Sequence, residues 1–211
     1  MKSMRKKSSP DPESKSKRSN DLFQKRQMQI IKKATKLFMK KGYAQTSMRE
    51  ISKATGIDIS NLYYFIKNKE EILFRVFEMI HSTEIDLFEK QGIMSMEDPI
   101  EQLRTVIREL LDFGYNYGEE ILLLYRESKV LPKSMRKIIL GRESQFVTQI
   151  EDILKKGLER KVFDFEDASF TANMIAYELS LHPLRGWNLK KYSKEELINL
   201  LEKHVMKAVI C

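Results

Sequence analysis

The pattern of residues 29–71 restricts what this 211-residue chain can fold into more than any other stretch. Its first part carries five apolar residues at the spacing of one helix face: Ile30, Ile31, Ala34, Leu37 and Phe38. This pattern predicts a helix that ends at Gly42. Ser47 and Glu50 have the spacing of a capping box, which predicts the start of a short second helix. After the turn at Gly56, Asp58 or Ser60 can cap a third short helix over residues 59–66.

A helix, a short helix, a glycine turn and another short helix form the layout of a helix-turn-helix unit. The charge distribution supports this interpretation, because residues 1–70 contain 18 Lys and Arg against six Asp and Glu, whereas residues 71–211 contain 20 against 24. Lys and Arg that neutralise phosphates drive nucleic-acid affinity. The basic part of the chain is therefore expected to bind double-stranded DNA. The lysines of the first helix lie opposite its apolar stripe and are interpreted mainly as its solvated face.

The same stretch contains five short motifs in a fixed order: Gly42-Tyr43, Thr46-Ser47, Gly56-Ile57, Leu62-Tyr63-Tyr64-Phe65-Ile66 and Lys67-Asn68-Lys69-Glu70. Over about 45 residues and without a gap in the match, the segment resembles the DNA-binding domain of TetR/AcrR-family transcriptional regulators. Asp58 and Ser60 depart from the residues frequent in the family, but both are good helix caps. These departures leave the recognised base sequence open.

The resemblance implies an all-α fold with an N-terminal helix-turn-helix three-helix domain and a C-terminal helical bundle for ligand binding and dimerisation. We expect a disordered basic tail over residues 1–20, the DNA-binding domain over 21–68 and the regulatory domain over 69–211. Residues 69–89 are predicted to form a linker helix. Few apolar residues occur in the tail, which is expected either to enter a minor groove or to remain a solvated extension.

Position on the third helix separates structural from DNA-contacting residues. Leu62 and Ile66, four apart, are predicted to face inward. The DNA-binding candidates are Thr46, Ser47, Arg49, Ile59, Ser60, Asn61, Tyr63, Tyr64, Phe65 and Lys69. By resemblance, Tyr63 bonds to a phosphate, while Tyr64 and Phe65 lie against a sugar or a thymine methyl group.

For the polar candidates the chemistry is more specific. Asn61 can pair with adenine through two hydrogen bonds, and Ser60 is placed for a base or the backbone. Arg49 can reach guanine or a phosphate, and both alternatives stay open. Thr46, Ser47 and Lys69 fit backbone contacts at helix N-termini.

Residues beyond the linker helix read as further helices with clear starts. Asp98-Pro99 and the capping box of Ser193 and Glu196 begin two of them, and a long helix is expected from Asp167 to about Pro183. The last two helices carry more apolar surface than a lone amphipathic helix needs. In the family this pair forms a four-helix bundle with a second chain, so a homodimer is expected on a palindromic operator.

A pocket for a small-molecule effector is expected between the middle helices. Its candidate residues are Phe113, Tyr117, Tyr125, Phe146, Met174, Tyr177, Arg185 and Trp187. The order Arg142, Phe146, Gly157 and Trp187 resembles the branch that responds to acyl-CoA thioesters, although the family's Trp-Tyr-x-Pro-Gly run is here Trp-Asn-Leu-Lys-Lys. We predict a dimeric repressor released from its operator by an apolar or acyl-CoA effector. A drug-responsive efflux-pump repressor and an adaptor regulated by a protein partner remain alternatives.

Other classes lack support in the sequence. Three scattered histidines and one terminal cysteine give no catalytic constellation and no metal-ligand spacing, so neither an enzyme, a metal site nor a cofactor other than the effector is expected. His81 is expected to be an ordinary packed or half-exposed histidine. The single cysteine fits a reducing cytoplasm, and the absence of a long apolar run predicts no membrane span.

Overall fold

Helices account for every regular element that the computed structural model describes, which is the backbone of residues 12–210 with side chains for residues 20–210. The exception is an isolated antiparallel bridge between Phe163 and Ile210. The prediction of an all-α fold is confirmed. The chain divides into two compact units between Ile72 and Leu73, here called the N-terminal and C-terminal units. Within residues 12–210, no helix combines the length and the apolar character needed to cross a membrane.

Three helices and the first turn of a fourth build the N-terminal unit: α1 (Pro12–Lys41), α2 (Met48–Thr55), α3 (Ile59–Phe65) and α4 (Lys69–Lys90). The predicted apolar stripe of α1 is buried except for the half-buried Leu37, and Ile51 of α2 and Leu62 of α3 are buried with it. Gly42 and Gly56 have φ angles of +88° and +70° and terminate α1 and α2. Only glycine adopts this backbone without strain, so both predicted helix ends are confirmed.

The start of α1 differs from the prediction. Residues 12–20 were expected to belong to a disordered tail, but they form the first turns of α1. Pro12 suits the first turn of a helix, and residues 13–41 contain neither glycine nor a second proline. Nothing in the sequence therefore interrupts the helix that the apolar stripe stabilises. Residues 1–11 lie outside the described residues, and the prediction for them stays untested.

The C-terminal unit consists of the remainder of α4 followed by α5 (Pro99–Asn116), α6 (Gly118–Glu127), α7 (Lys133–Glu159), α8 (Ala168–Leu179), α9 (Leu181–Arg185) and α10 (Lys194–Val209). Short 3-10 helices cover Ile93–Ser95, Ser128–Val130 and Gly186–Asn188. Apolar side chains of α5, α7, α8 and α10 form most of the core. The predicted caps are confirmed, with Asp98 before α5 and a complete capping box at Ser193 and Glu196 before α10.

The predicted helix from Asp167 to Pro183 is interrupted in the structure. α8 ends at Leu179, and α9 begins at Leu181 after Ser180. Pro183 has no N–H to donate to the carbonyl of Leu179, four residues earlier, and its ring clashes with a continuous helix at that point. The proline therefore ends α8, and a separate short helix, α9, follows.

Candidate functional site

The outward face of α3 carries most of the predicted DNA-contacting residues. Leu62 and Ile66 are 0% and 1% exposed and hold α3 against α1 and α2, as predicted. Asp58 caps the helix by accepting a hydrogen bond from the Ser60 amide at 2.9 Å. The opposite side is open, since Tyr63 and Tyr64 are 50% and 73% exposed and Ser60 and Asn61 are also exposed. Large aromatic side chains left in solvent mark a binding surface.

Phe65 and Ile59 do not share this open face. Both are half-buried, and the ring of Phe65 lies 5.1 Å from that of Phe23 on α1, measured between centroids. The Phe65 carbonyl also accepts a hydrogen bond from Gln27 Nε2 at 2.8 Å. The prediction that Phe65 points outward is wrong, because its ring turns toward α1 and packs against Phe23. Phe23 was missed, although it lies seven residues before Ile30 and extends the apolar stripe of α1.

Two further DNA-binding candidates, Thr46 and Ser47, stabilise the turn before α2. Thr46 is 1% exposed, and its hydroxyl donates to the Gly42 carbonyl at 2.9 Å. The prediction that its side chain contacts DNA is wrong for this conformation, because the group is buried and bonded. Ser47 caps α2 and exchanges hydrogen bonds with Glu50. Arg49 is exposed on the first turn of α2 and remains a candidate for base or phosphate contact.

Lys69 connects the first turn of α4 to the loop between α1 and α2. Its Nζ donates to the Tyr43 carbonyl at 2.9 Å and lies 3.4 Å from the Ala44 carbonyl. The same ammonium sits 4.6 Å above the centre of the Tyr43 ring. These contacts give Lys69 a structural role that the sequence did not predict, while its half-exposed position leaves the phosphate contact untested.

A cleft and a small cavity lie side by side in the C-terminal unit. The outer cleft, of about 280 Å³, lies between α4 and α7 and is lined by His81, Glu84, Ile85, Arg142, Gln145, Phe146, Thr148 and Gln149. The inner cavity, of about 30 Å³, has Glu84 and Phe146 in common with the cleft. It is otherwise lined by Ile80, Leu110, Phe113, Ile121, Leu124, Tyr125, Glu143, Ala176, Leu179 and Ser180. Of the predicted effector residues, Phe113, Tyr125 and Phe146 are thus brought together.

The other predicted effector residues lie elsewhere. Tyr117 packs against Phe113 with ring centroids 4.6 Å apart but lines neither the cleft nor the cavity. Met174 and Tyr177 lie on the exposed side of α8 at 43% and 54% exposure. Their assignment to the pocket is wrong, because neighbouring residues on the opposite side of α8 face the interior.

Arg185 and Trp187 form a separate pair at the end of α9. The Arg185 guanidinium lies 5.5 Å from the centre of the Trp187 ring, and Trp187 is 68% exposed. Neither residue lines the cleft or the cavity. The prediction that they belong to the effector pocket is therefore not supported, since both lie beyond the break between α8 and α9 at Ser180.

Ionisable residues that line the cleft or the cavity were not predicted as part of the site. His81 is 2% exposed, and its Nδ1 lies 3.1 Å from Glu84 Oε2. Glu143 on α7 lines the inner cavity together with Glu84, and burial together with the Glu84 carboxylate raises the pKa of the Glu143 carboxyl group. Burial likewise raises the pKa of the Tyr125 phenol, whose hydroxyl lies 3.3 Å from Ser180 Oγ. Glu84 and Glu143 are 59 positions apart, so no local pattern could have joined them.

A second apolar surface lies on α8 and α10. Phe170, Met174, Tyr177 and Leu200 are between 43% and 67% exposed. In contrast, Ile175, Leu197, Leu201, Val205 and Val209 are buried within the chain itself. The last two long helices therefore keep an uncovered apolar face after their own core is complete.

Comparison with known proteins identifies the family of both units. Residues 30–76 match the model described as bacterial regulatory proteins, tetR family, and residues 96–179 match the tetracyclin repressor-like C-terminal domain. The two matches together span more than half of the chain.

Individual relatives agree with the family models. The HTH-type transcriptional regulator YhgD of Bacillus subtilis is 23% identical over 185 residues, covering 85% of this chain and 94% of YhgD. The fatty acid metabolism regulator protein of the same organism is 29% identical over 136 residues, covering 63% and 68% of the two chains. The crystal structure of AibR is similar in fold, with a TM-score of 0.70 at 22% identity, over 84% of this chain and 96% of AibR. The chain therefore belongs to the TetR family of bacterial regulatory proteins and is a helix-turn-helix transcriptional regulator.

Proposed function

We propose that the chain acts as a homodimeric repressor that leaves its operator when a small molecule occupies the C-terminal unit. The observation that carries this proposal is the path of α4. Its first turn is bonded to the α1–α2 loop through Lys69, and about three to four turns later its residues His81 and Glu84 line the outer cleft. A ligand that contacts α4 differently in two conformations shifts the equilibrium between them by its difference in affinity.

The DNA-binding part of the proposal rests on the open face of α3 and on the basic N-terminal unit. One short recognition helix makes few base contacts, so two-fold pairing on a palindromic site is needed for tight binding. Such a regulator works where the bacterial DNA lies, in the cytoplasm. The function requires neither catalysis nor a metal or resident cofactor.

Selection of duplexes from a random-sequence pool by the full chain tests this part. We expect two-fold symmetric half-sites, and affinity that falls steeply with salt because many phosphates are neutralised. Arg49→Ala is expected to cost about 1–3 kcal/mol if Arg49 reads a base, and Tyr63→Phe about 1 kcal/mol for a lost phosphate bond. Arg160→Ala, at an exposed arginine of the C-terminal unit, is the matched control. Unchanged operator affinity in folded Arg49 and Tyr63 variants would contradict the proposed interface.

Dimerisation is proposed through the uncovered face of α8 and α10. Combining Phe170→Lys with Leu200→Lys places two charges on that face, and we expect sedimentation to show monomers with weakened operator binding. Leu140→Lys is the control, since Leu140 is 53% exposed on α7 and Leu200 is 48% exposed on α10. A chain that stays dimeric after both substitutions would place the interface elsewhere.

The acyl-CoA class of effector is supported only by relatives. AibR was crystallised with isovaleryl coenzyme A and operator DNA, and one relative is a fatty acid metabolism regulator. The outer cleft approaches the lower end of the roughly 300–1,000 Å³ that small-molecule sites occupy, whereas the inner cavity admits only a water-sized group. Release of operator DNA by isovaleryl-CoA in a fluorescence anisotropy titration would support this class.

A further inference from the structure

The N-terminal unit has a surface groove beside α3 in which basic and aromatic residues meet. It has a volume of about 480 Å³ and lies between α1 and the end of α3. The residues that line it are Leu22, Phe23, Lys25, Arg26, Gln29, Tyr64 and Phe65. Its α1 residues all precede residue 30, where the match to the family model begins. One wall of the groove is therefore built by a part of α1 that lies before the matched domain.

Contacts between α1 and α3 fix the walls of the groove. The Phe23 ring lies 5.1 Å from the Phe65 ring and 5.7 Å from the Tyr64 ring, measured between centroids, and meets Tyr64 edge-on at 87°. Gln27 Nε2 donates a hydrogen bond to the Phe65 carbonyl at 2.8 Å. These contacts join α1 to the last turn of α3, so the two walls are held at a fixed separation.

The polar side chains of the groove are mainly hydrogen-bond donors. Lys25 and Arg26 are exposed and can donate but not accept. Arg26 Nη1 donates to Gln29 Oε1 at 2.9 Å, which uses one of the five guanidinium N–H groups and leaves the Gln29 amide nitrogen as a further donor. Asp21 lies one turn before Lys25 on α1, but no aspartate or glutamate is among the described residues that line the groove. A ligand with negative charge and several acceptor oxygens matches these donors.

The apolar part of the groove indicates which anion fits. Leu22 is 61% exposed and Tyr64 is 73% exposed, and a free phosphate ion would leave both uncovered. A sugar–phosphate backbone instead presents the C–H surface of deoxyribose beside each phosphate. Tyr64 also belongs to the open face of α3, so a duplex that lies on this face passes directly beside the groove. Position, charge and apolar surface therefore all favour a DNA strand.

We propose that the groove between α1 and α3 holds the sugar–phosphate backbone of the operator strand that flanks the bases read by α3. Lys25 and Arg26 donate to its phosphates, while Leu22 and Tyr64 pack against its sugars. Contacts of this kind carry no base information but fix the position and orientation of the protein on the duplex. The inference rests on the DNA-binding part of the proposed function and extends the interface to α1 residues that the sequence did not predict.

The salt dependence of operator binding by the full chain tests the two charges. The variant Lys25→Gln with Arg26→Gln is titrated by fluorescence anisotropy on the selected operator duplex. A lost phosphate contact lowers the slope of log affinity against log salt by about one, so we expect a decrease of about two for each bound protomer. At about 0.15 M salt, affinity is expected to fall at least about tenfold, since a charged hydrogen bond is lost at each residue.

Two controls separate phosphate contacts from general effects of charge and folding. Lys32→Gln with Lys33→Gln makes the same charge change on exposed positions of α1 outside the groove and is expected to lower the slope by less than about one. Lys25→Arg with Arg26→Lys keeps both charges and is expected to keep the slope. If the groove pair has no larger effect than the control pair, or if this exchange flattens the slope as much as glutamine does, the proposal fails.

Neutral methylphosphonate linkages locate the contacted phosphates. Each linkage of the operator duplex is replaced in turn, and those that weaken binding of the unsubstituted chain mark the contacts. We expect a group of linkages at the edge of each half-site to lose its effect in the Lys25→Gln, Arg26→Gln variant, while the other sensitive linkages keep theirs. If every linkage weakens both proteins equally, the groove holds no backbone and the inference is refuted.

The same measurements separate this inference from the proposed function. A chain that binds none of the selected duplexes would refute both. Operator binding that responds to the groove pair and the control pair alike would retain the regulator and refute the groove. A flattened slope in a chain that sediments on its operator as a monomer would refute the homodimeric repressor and retain the groove.

Discussion

Replacement of Lys69 by methionine separates the structural role of this residue from a DNA-binding role. Methionine keeps a long unbranched side chain at the first helical position of α4 while removing the ammonium. The lost interactions are the 2.9 Å hydrogen bond to the Tyr43 carbonyl and the ring contact at 4.6 Å. The 3.4 Å contact to Ala44 is too long to add much.

The expected magnitude follows from these contacts. A hydrogen bond from a charged donor contributes about 1.5–3 kcal/mol, and a cation–ring contact at an exposed site about 0.5–1 kcal/mol. Since Lys69 is half-exposed, solvent screening favours the lower end of both ranges. We therefore expect Lys69→Met to lower the free energy of unfolding of the N-terminal unit by about 2 kcal/mol.

Two measurements check this expectation. Native-state hydrogen exchange of the amides in residues 48–66 reports the local opening free energy of the N-terminal unit. The salt dependence of operator binding reports the phosphate contacts, and a lost contact lowers its slope by about one. Lys67→Met is the control, because Lys67 is an exposed lysine two residues earlier.

The two roles give opposite results. A structural Lys69 lowers protection from exchange and leaves the salt slope unchanged. Unchanged protection combined with a slope reduced by about one would show that the carbonyl contacts contribute little and that Lys69 acts on DNA.

Two further tests concern the packing of α7 and the cap of α2. A Cβ at Gly157 would lie 1.8 Å from Cδ2 of the Phe163 ring, so Gly157→Ala is expected to lower stability in urea unfolding by about 1–3 kcal/mol. Gly141→Ala, on the same helix with open space around it, is expected to raise stability by about 0.5–1 kcal/mol, and equal effects would refute the close contact. A hydrogen bond from Lys41, with help from the Ser47 amide, lowers the pKa of Glu50 to about 2 from 4.5. Because this pKa is depressed in the folded state, the carboxylate stabilises α2 above pH 4.5 and the contribution is lost as the pH falls toward 2. Between these pH values, the free energy of unfolding in urea should fall less in Glu50→Gln than in the unsubstituted chain. An identical pH dependence of the two proteins would count against the cap.

Local signals were sufficient for the helices and their ends. Ser47 with Glu50 and Ser193 with Glu196 form the capping boxes that their spacing predicted. Such bonds join residues three positions apart, so the sequence contains all the information needed. The same is true of Leu62 and Ile66, whose helical spacing alone gave the buried side of α3. The break at Ser180 was not predicted, because the apolar pattern continues across it and only the missing amide of Pro183 indicates that the helix ends.

The direction in which a side chain points from its helix could not be predicted from such local spacing. Phe65 was predicted to face DNA, but Phe23, which is 42 positions earlier, gives its ring a place to pack. Met174 and Tyr177 are aromatic or flexible residues of the kind that line pockets, yet they lie on the outer side of α8. Composition indicates that a residue is suited to a pocket, whereas the rotation of its helix against the core decides whether it enters one.

By itself, the sequence determined the helical elements and the layout of the helix-turn-helix unit, since these depend on hydrogen bonds and apolar spacing within a few turns, and its motifs carried the resemblance to the family. Only the tertiary structure decided which face of each helix remained open and which charges met. Glu84 and Glu143 come together because α4 and α7 pack side by side, and Lys69 reaches the Tyr43 carbonyl because the chain folds back on itself. The surroundings of these side chains are therefore a property of helix packing, which no single stretch of the sequence contains.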